Sequence, residues 1–332
     1  MDRRNFIKTG AMAAVAARLG MGEAFARKKQ KVGMPEQEAK VRRGWDGQIL
    51  CEMGSAGPDD LTLKFLGTGA SGWTGPDCGR RRHSSVLLDG KVLIDLTFSA
   101  KGMLGEGCHP KTIFYTHSHG DHFDPEMALE TGVRKAYASC TWVERAKQRF
   151  AEASAKTGIA APEIVPLEIG QKVVEEGICF TAMPGNHATN DIHEQALIYL
   201  IEKGTTDTKL GVRLIYATDT GGLLQTAVRI AGVDPLQKPG RPITGFIMEG
   251  TIPFSQPDDY RIFSHTTLEG AGHTLHSIMD AGRYCPPDGQ PAYITHMSTK
   301  NFLPHDELNR QLEWPLRAPY DGQEIIFRAV TD

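Results

Sequence analysis

The chain predicts an α/β fold in which two sheets pack face to face with helices on their outer sides. Three observations lead there. Short apolar runs of strand character come in two batches, and each batch is followed by a segment of helical period. Turn-forming residues separate the runs at short intervals. Residues of metal-ligand type stand where several apolar runs end, as at the open edge of a sheet.

The elements follow in order. Leu61-Thr-Leu-Lys-Phe-Leu66 reads as a strand and enters Gly67-Thr-Gly-Ala-Ser-Gly72. Gly-x-Gly after a strand can signal a nucleotide loop, but the third glycine spacing and the following helix are missing, so a tight turn is expected. Ser85-Val-Leu-Leu-Asp-Gly90 and Lys91-Val-Leu-Ile-Asp95 read as a hairpin closed by Asp-Gly. Ile113-Phe-Tyr-Thr116 is a short strand that runs straight into a histidine cluster. A helix is expected over 141–155, with Trp142, Val143, Ala146 and Phe150 as its apolar stripe. Strands follow over 171–174, 178–183, 196–202 and 212–217, the last two joined by the turn-rich 203–209. Strands over 244–249 and 292–295, with a helix over 267–281 between them, complete the set.

With 332 residues the chain can bury a substantial core as one large or two small domains. No run of about 18 uncharged apolar residues occurs, so no transmembrane segment is expected in the mature chain. The net charge of −3 argues against a broad nucleic-acid surface, and no nucleic-acid partner is expected. Oligomeric state is left open, a homodimer included. Six cysteines show no CxxC spacing; a buried structural thiol is the expected role of Cys78 and Cys108, and disulfide pairing is left open.

Residues 1–26 have the order of a signal peptide: Asp2-Arg-Arg-Asn-Phe-Ile-Lys8, a modest apolar stretch over 9–22, and Ala24-Phe-Ala26 before the expected cleavage. An amphipathic helix of the mature fold is the alternative. The paired arginines resemble the twin-arginine export signal, which implies a periplasmic protein. Residues 27–58 are expected as a basic linker or N-terminal extension, and 59–332 as the catalytic domain.

Thr116-His-Ser-His-Gly-Asp-His122 puts His117, His119, Asp121 and His122 within six residues. Imidazole and carboxylate suit borderline divalent ions; zinc is the expected metal, with manganese or iron as alternatives. His187, Asp219 and His296 each follow an apolar strand, and with the first cluster they fit a site for two divalent metal ions bridged by Asp219.

This order, HxHxDH and then strand-end His, Asp and His, resembles the metallo-β-lactamase-fold hydrolases over roughly 61–327. The resemblance implies a metallo-β-lactamase-type four-layer αβ/βα sandwich. It assigns His117, His119 and His187 to one metal, and Asp121, His122 and His296 to the other. Phe65-Leu-Gly-Thr-Gly69, Ser84-Ser85, Ile94-Asp95, Tyr216-Ala-Thr-Asp-Thr-Gly221, Ser264-His-Thr-Thr-Leu-Glu269, Thr295-His-Met-Ser298 and Tyr320-Asp-Gly322 are similar to the branch holding tRNase Z and the phosphoribosyl cyclic phosphodiesterases. In that branch the histidine at the position of His265 is a non-ligand group that serves phosphodiester cleavage, and Glu249 can orient it; a helix N-cap neighbour is the plainer reading of His265.

Two departures stand out. Gly120 replaces the acidic residue of tRNase Z, and its long tRNA-gripping arm has no counterpart. The extra cysteine-built zinc site of the cyclic phosphodiesterase is reduced to Cys78. Arg80-Arg81-Arg82 reads either as a phosphate clamp or as a solvated basic turn. The other histidines, His83 among them, read as structural or surface residues.

The expected function is hydrolysis of a small cyclic or activated phosphodiester by a hydroxide bridging two cations, with Asp121, His265 and Glu249 as catalytic residues. Hydrolysis of a lactone, lactam or sulfate ester at the same site, or a non-catalytic periplasmic carrier, are the alternatives.

Overall fold

A computed structural model describes residues 41–43, 49–51, 55–238, 240–256, 258–298 and 302–331, the first two segments by backbone only. The expected leader, 1–26, and most of the expected linker lie outside the described residues. Strands β1 (Val41–Arg43) and β2 (Ile49–Cys51) pair antiparallel within the latter.

The first large sheet is built from β3 (Leu61–Gly67), β4 (Ser85–Leu88), β5 (Val92–Ile94), β6 (Thr112–Phe114), β7 (Lys135–Ser139) and β8 (Glu163–Leu167) in that order. The second runs from β9 (Lys172–Glu175) through β10 (Ile178–Pro184), β11 (Leu197–Lys203), β12 (Val212–Ala217), β13 (Gly245–Glu249) and β14 (Ala292–Thr295) to β15 (Leu316–Arg317). The chain then returns as β16 (Glu324–Phe327), antiparallel to β3 on the outer edge of the first sheet. Each sheet is antiparallel at one side and parallel at the other, with β5 to β8 and β12 to β15 as the parallel portions.

Between the sheets lies the main core. Phe65, Ile94, Phe114 and Phe327 from the first meet Phe180, Tyr199, Leu214 and Tyr293 from the second. Phe114 stacks between Tyr137 and Phe180 at ring-centre distances of 4.4 and 4.0 Å. Burying one such ring contributes on the order of 1.5–3 kcal/mol, so the inner layer is the main source of sheet-to-sheet adhesion.

Helices α1 (Pro125–Thr131) and α2 (Val143–Thr157) cover the outer face of the first sheet through Leu129, Trp142, Ala146 and Phe150. On the second, α3 (Gln225–Ile230), α4 (Leu268–Asp280) and α5 (His305–Gln311) do the same through Ala227, Leu275 and Leu308. The result is the expected four-layer αβ/βα sandwich. Among the described residues no helix is long and apolar enough to cross a membrane.

The hairpin forms as expected: Asp89 and Gly90 both take positive φ (48° and 67°), the turn that suits the right-handed twist of β4 and β5. One expectation is corrected. Gly67 to Gly69 is no tight turn but extended chain, with Gly69 bridging to His83 on one side and to Met297 on the other. A Cβ on Gly67 would stand 2.1 Å from the His83 carbonyl oxygen, so the glycines serve close backbone approach. A second expectation is corrected too: Cys78 and Cys108 are only half-buried, because both lie in connections outside the sheets, and with Cys140, Cys179 and Cys285 they are free thiols.

Candidate metal centre

Every candidate ligand and Glu249 lie at or just beyond the carboxyl end of a strand at one edge of the sandwich, and His265 reaches the same edge after a 3-10 turn over Tyr260–Phe263. Because β10 and β12 are each antiparallel to β11, and β12, β13 and β14 are parallel, His187, Asp219, Glu249 and His296 emerge on the same side. His117 to His122 arrive there from β6. Their loop is pinned by Phe123, which wedges edge-on against Tyr115, Trp142 and Phe150. Asp124 caps α1 through the Met127 N–H and also accepts from the Phe98 N–H. Ser118 is tied to buried Glu194 by its N–H (2.8 Å) and its hydroxyl (2.7 Å).

The structure brings all nine predicted residues together. Donor atoms within 4.8 Å of one another form the groups His117–His119–His187, His117–His122–Asp219, Asp121–His122–His296 and Asp219–Glu249–His265–His296. Asp219 stands 2.5 Å from His122 Nε2, 3.0 Å from His296 Nε2 and 3.8 Å from His117 Nε2 through one oxygen, and 3.8 Å from His187 Nδ1 through the other.

Hydrogen bonds fix which imidazole nitrogen faces the pocket. His122 Nδ1–H donates to Asp95 Oδ2 (2.7 Å), and the Thr116 hydroxyl donates to the same oxygen (2.8 Å). With its single proton so used, Thr116 Oγ1 accepts from His117 Nδ1–H (3.0 Å). One carboxylate thus sets two rings with Nε2 inward. On the opposite wall the Thr251 hydroxyl donates to Glu249 Oε2 (2.5 Å) and accepts from His296 Nδ1–H (2.8 Å). His187 Nδ1–H donates to the Ser264 carbonyl (3.1 Å), and its Nε2 lies 3.2 Å from His119 Nδ1.

As a result His117 Nε2, His122 Nε2, His296 Nε2 and Asp219 Oδ2 are buried without a hydrogen-bond partner. Lone pairs facing lone pairs at these distances repel, and something positive must lie between them: a second proton on a ring, or a metal ion. The donor set therefore fits divalent cations. Without them, burial works against charge on His122 and His296, but Asp219 and the nearby carboxylates outweigh it; His122 is held well above the usual range and His296 is raised to about 10. His117 goes the other way, pushed down by burial and by the charge of His122.

His265 stands apart from the rings around it. Its Nδ1 lies 2.9 Å from Glu249 Oε2 and 3.3 Å from Asp219 Oδ1. Glu249 is itself immobilised, since Oε1 accepts from the N–H groups of Thr220 (3.1 Å) and Thr266 (2.7 Å). Burial disfavours the His265 cation, but the Glu249 hydrogen bond and charge override it and raise this imidazole. Asp95, Asp219 and His296 all take positive φ (55°, 46° and 50°), a conformation non-glycine residues adopt where the surroundings enforce it.

Several contributors escaped the sequence reading. Asp95 and Thr116 appeared only as ends of strands or within quoted motifs, with no supporting role, and Thr251 and Glu194 not at all. A strand-end Asp was Asp95's one local signal. His83, read as structural or surface, is buried, with Nδ1 3.0 Å from Thr97 Oγ1, and it is close enough to the centre to feel Asp121, His122 and His296; burial above all holds it down at about 4. The three arginines are committed elsewhere. Arg81 bonds Thr68 and the Pro319 carbonyl, Arg82 bonds the Ser99 carbonyl and lies over the Trp73 ring, and exposed Arg80 bonds the Gly72 carbonyl.

The family model Beta-lactamase superfamily domain matches residues 95–285, beginning at Asp95 and stopping short of His296. Among solved structures, the fold is similar to a diphosphatase from the PhnP family (21% identity, TM-score 0.57, covering 82% of this chain and 98% of that one). It is also similar to human tRNase Z, short form (17%, TM-score 0.54, 80% and 98%). A third is Zn(2+)-bound PqqB from Methylobacterium extorquens (14%, TM-score 0.57, 80% and 99%). At these identities the likeness is one of fold. No curated protein matches the chain.

Proposed function

Because the chain belongs to the beta-lactamase superfamily and gathers seven metal-type ligands beside an imidazole none of them requires, we propose that it is a binuclear metal-dependent hydrolase of a small cyclic or activated phosphodiester. His117, His119 and His187 would hold one ion, Asp121, His122 and His296 the other, and Asp219 both. When bound, a pair of divalent cations supplies positive charge for the attacked phosphoryl group and acidifies water at neutral pH.

The protein's own part is positional. Asp95 and Thr116 keep two imidazole lone pairs inward, while Thr251 and Glu249 do the same for His296. His265 is the observation that carries the reading. With Nδ1 held by Glu249, its Nε2 is the ring atom left to give a proton to a leaving oxygen. The names of a diphosphatase and a tRNase among the similar folds point the same way.

The test is to count metals in the purified chain by plasma mass spectrometry and to assay bis-p-nitrophenyl phosphate beside a lactam, a lactone and a sulfate ester. We expect about two ions per chain and diester turnover, with His265→Ala lowering kcat by roughly 10²–10⁴-fold at unchanged metal content. Turnover of another ester class without diester turnover overturns the assignment.

A further inference from the structure

The loops that carry His187, Asp219 and His265 also carry the most exposed large apolar side chains near the centre. Ile192 is 93% exposed, Tyr260 82% and Phe263 84%, and Leu224 and Ile262 are exposed as well. Their loops are one unit. The Gly221 N–H donates to the Asn186 carbonyl (2.8 Å), Thr266 Oγ1–H to the Thr220 carbonyl (2.6 Å), and His187 Nδ1–H to the Ser264 carbonyl (3.1 Å). A Cβ on Gly221 would lie 3.3 Å from both Ile262 O and Ser264 N, so the segments already touch. Apolar groups displayed this way on a soluble surface mark a binding site.

Charge narrows the occupant. Residues 185–196, 218–224 and 250–266 contain no lysine. The guanidinium of Arg261 is clamped on Asp259 through Nε (2.9 Å) and Nη2 (2.6 Å), and Arg145, which reaches this side from α2, is taken by Asp191 (3.2 Å) and Glu194 (3.0 Å). A polyanion such as a nucleic acid needs free cations along its track, and these loops offer none among their described residues. Continuity with the candidate centre then points to a single molecule, anionic at the ions and apolar at the rim.

We infer that the substrate carries a bulky, uncharged apolar group next to its scissile ester, and that Ile192, Leu224, Tyr260, Ile262 and Phe263 form the seat for it. This rests on the hydrolase reading above, because the anionic head is placed at the ions.

The experiment is calorimetric binding of n-alkylphosphonates, methyl to octyl, to the zinc-loaded full chain, which requires no turnover. A fully buried methylene is worth about fourfold in affinity and a half-open rim roughly twofold, so octyl is expected to bind on the order of 100-fold more tightly than methyl. In the double variant Tyr260→Ser/Phe263→Ser the octyl-to-methyl ratio should fall to within about threefold of one. Leu236→Ser, which removes an equally exposed side chain elsewhere, should leave the ratio intact. Measurable but equal affinities along the series, or a ratio that survives the double variant, overturn the seat alone. No binding at any length, together with no diester turnover, overturns the seat and the hydrolase reading together. Sedimentation that shows a dimer broken by the double variant assigns the patch to a second copy of the chain instead.

Discussion

The two walls of the candidate centre use the same construction for different ends. On the first sheet, Asp95 and Thr116 support His117 and His122; on the second, Glu249 and Thr251 support His296 and His265. Both carboxylates are buried and both accept from a neighbouring backbone N–H. The difference lies in what they hold. Asp95 serves two candidate ligands, whereas Glu249 serves one candidate ligand and one free imidazole. On the proposed reading the first wall retains ions, and the second also moves a proton.

Three substitutions test that contrast. Glu249→Gln should be the most damaging to turnover, lowering kcat by about 10²–10⁴-fold while most of the metal stays, since only His296 loses part of its support. Steady-state kinetics with a metal count checks it, and equal losses of metal on both walls would erase the distinction. Asp95→Asn should act through the ions instead. An amide here faces the donors of Thr116 and His122 with a donor of its own, which favours the wrong His122 tautomer and places a proton on Nε2. Metal affinity should fall by roughly 10–100-fold, measured by chelator competition, with activity restored by excess zinc. The smallest effects belong to the hydroxyls. Thr116→Val and Thr251→Val each remove a hydroxyl that gives one bond to a carboxylate and accepts one from a ring; at about 0.5–1.5 kcal/mol for the lost ring contact, about two- to tenfold is expected. The first should appear in metal affinity and the second in kcat.

How much of this was readable in advance follows from contact distance along the chain. His117 to His122 were legible because four ligand types fall within six residues, and His187, Asp219 and His296 because each ends an apolar run. The same logic could have reached Asp95, which ends β5, but a lone strand-end aspartate has many uses. Glu194 was illegible, since its role lies in Ser118, 76 positions away. Strands β7 and β8 lack a clear period; β8 carries Pro166 and lies at a sheet edge, where a missing N–H is tolerated. The short β16 reads as a strand only beside β3. Glycines 67 and 69 were misjudged because close approach and turning use the same residue, and only the Arg81–His83 segment lying against them tells the two apart.

The return of the chain to β3 has a consequence for timing. Thr68 waits for Asp321, which takes its N–H (2.9 Å) and its hydroxyl (2.7 Å) from 253 positions further along, and Gly69 waits for Met297. During synthesis β3 therefore presents an unpaired edge until nearly the whole of the second sheet has emerged, a state prone to wrong pairing. His296 joins the other ligands only when that seam closes. The candidate pocket is thus completed late in synthesis, and a cation arriving early meets it without His296.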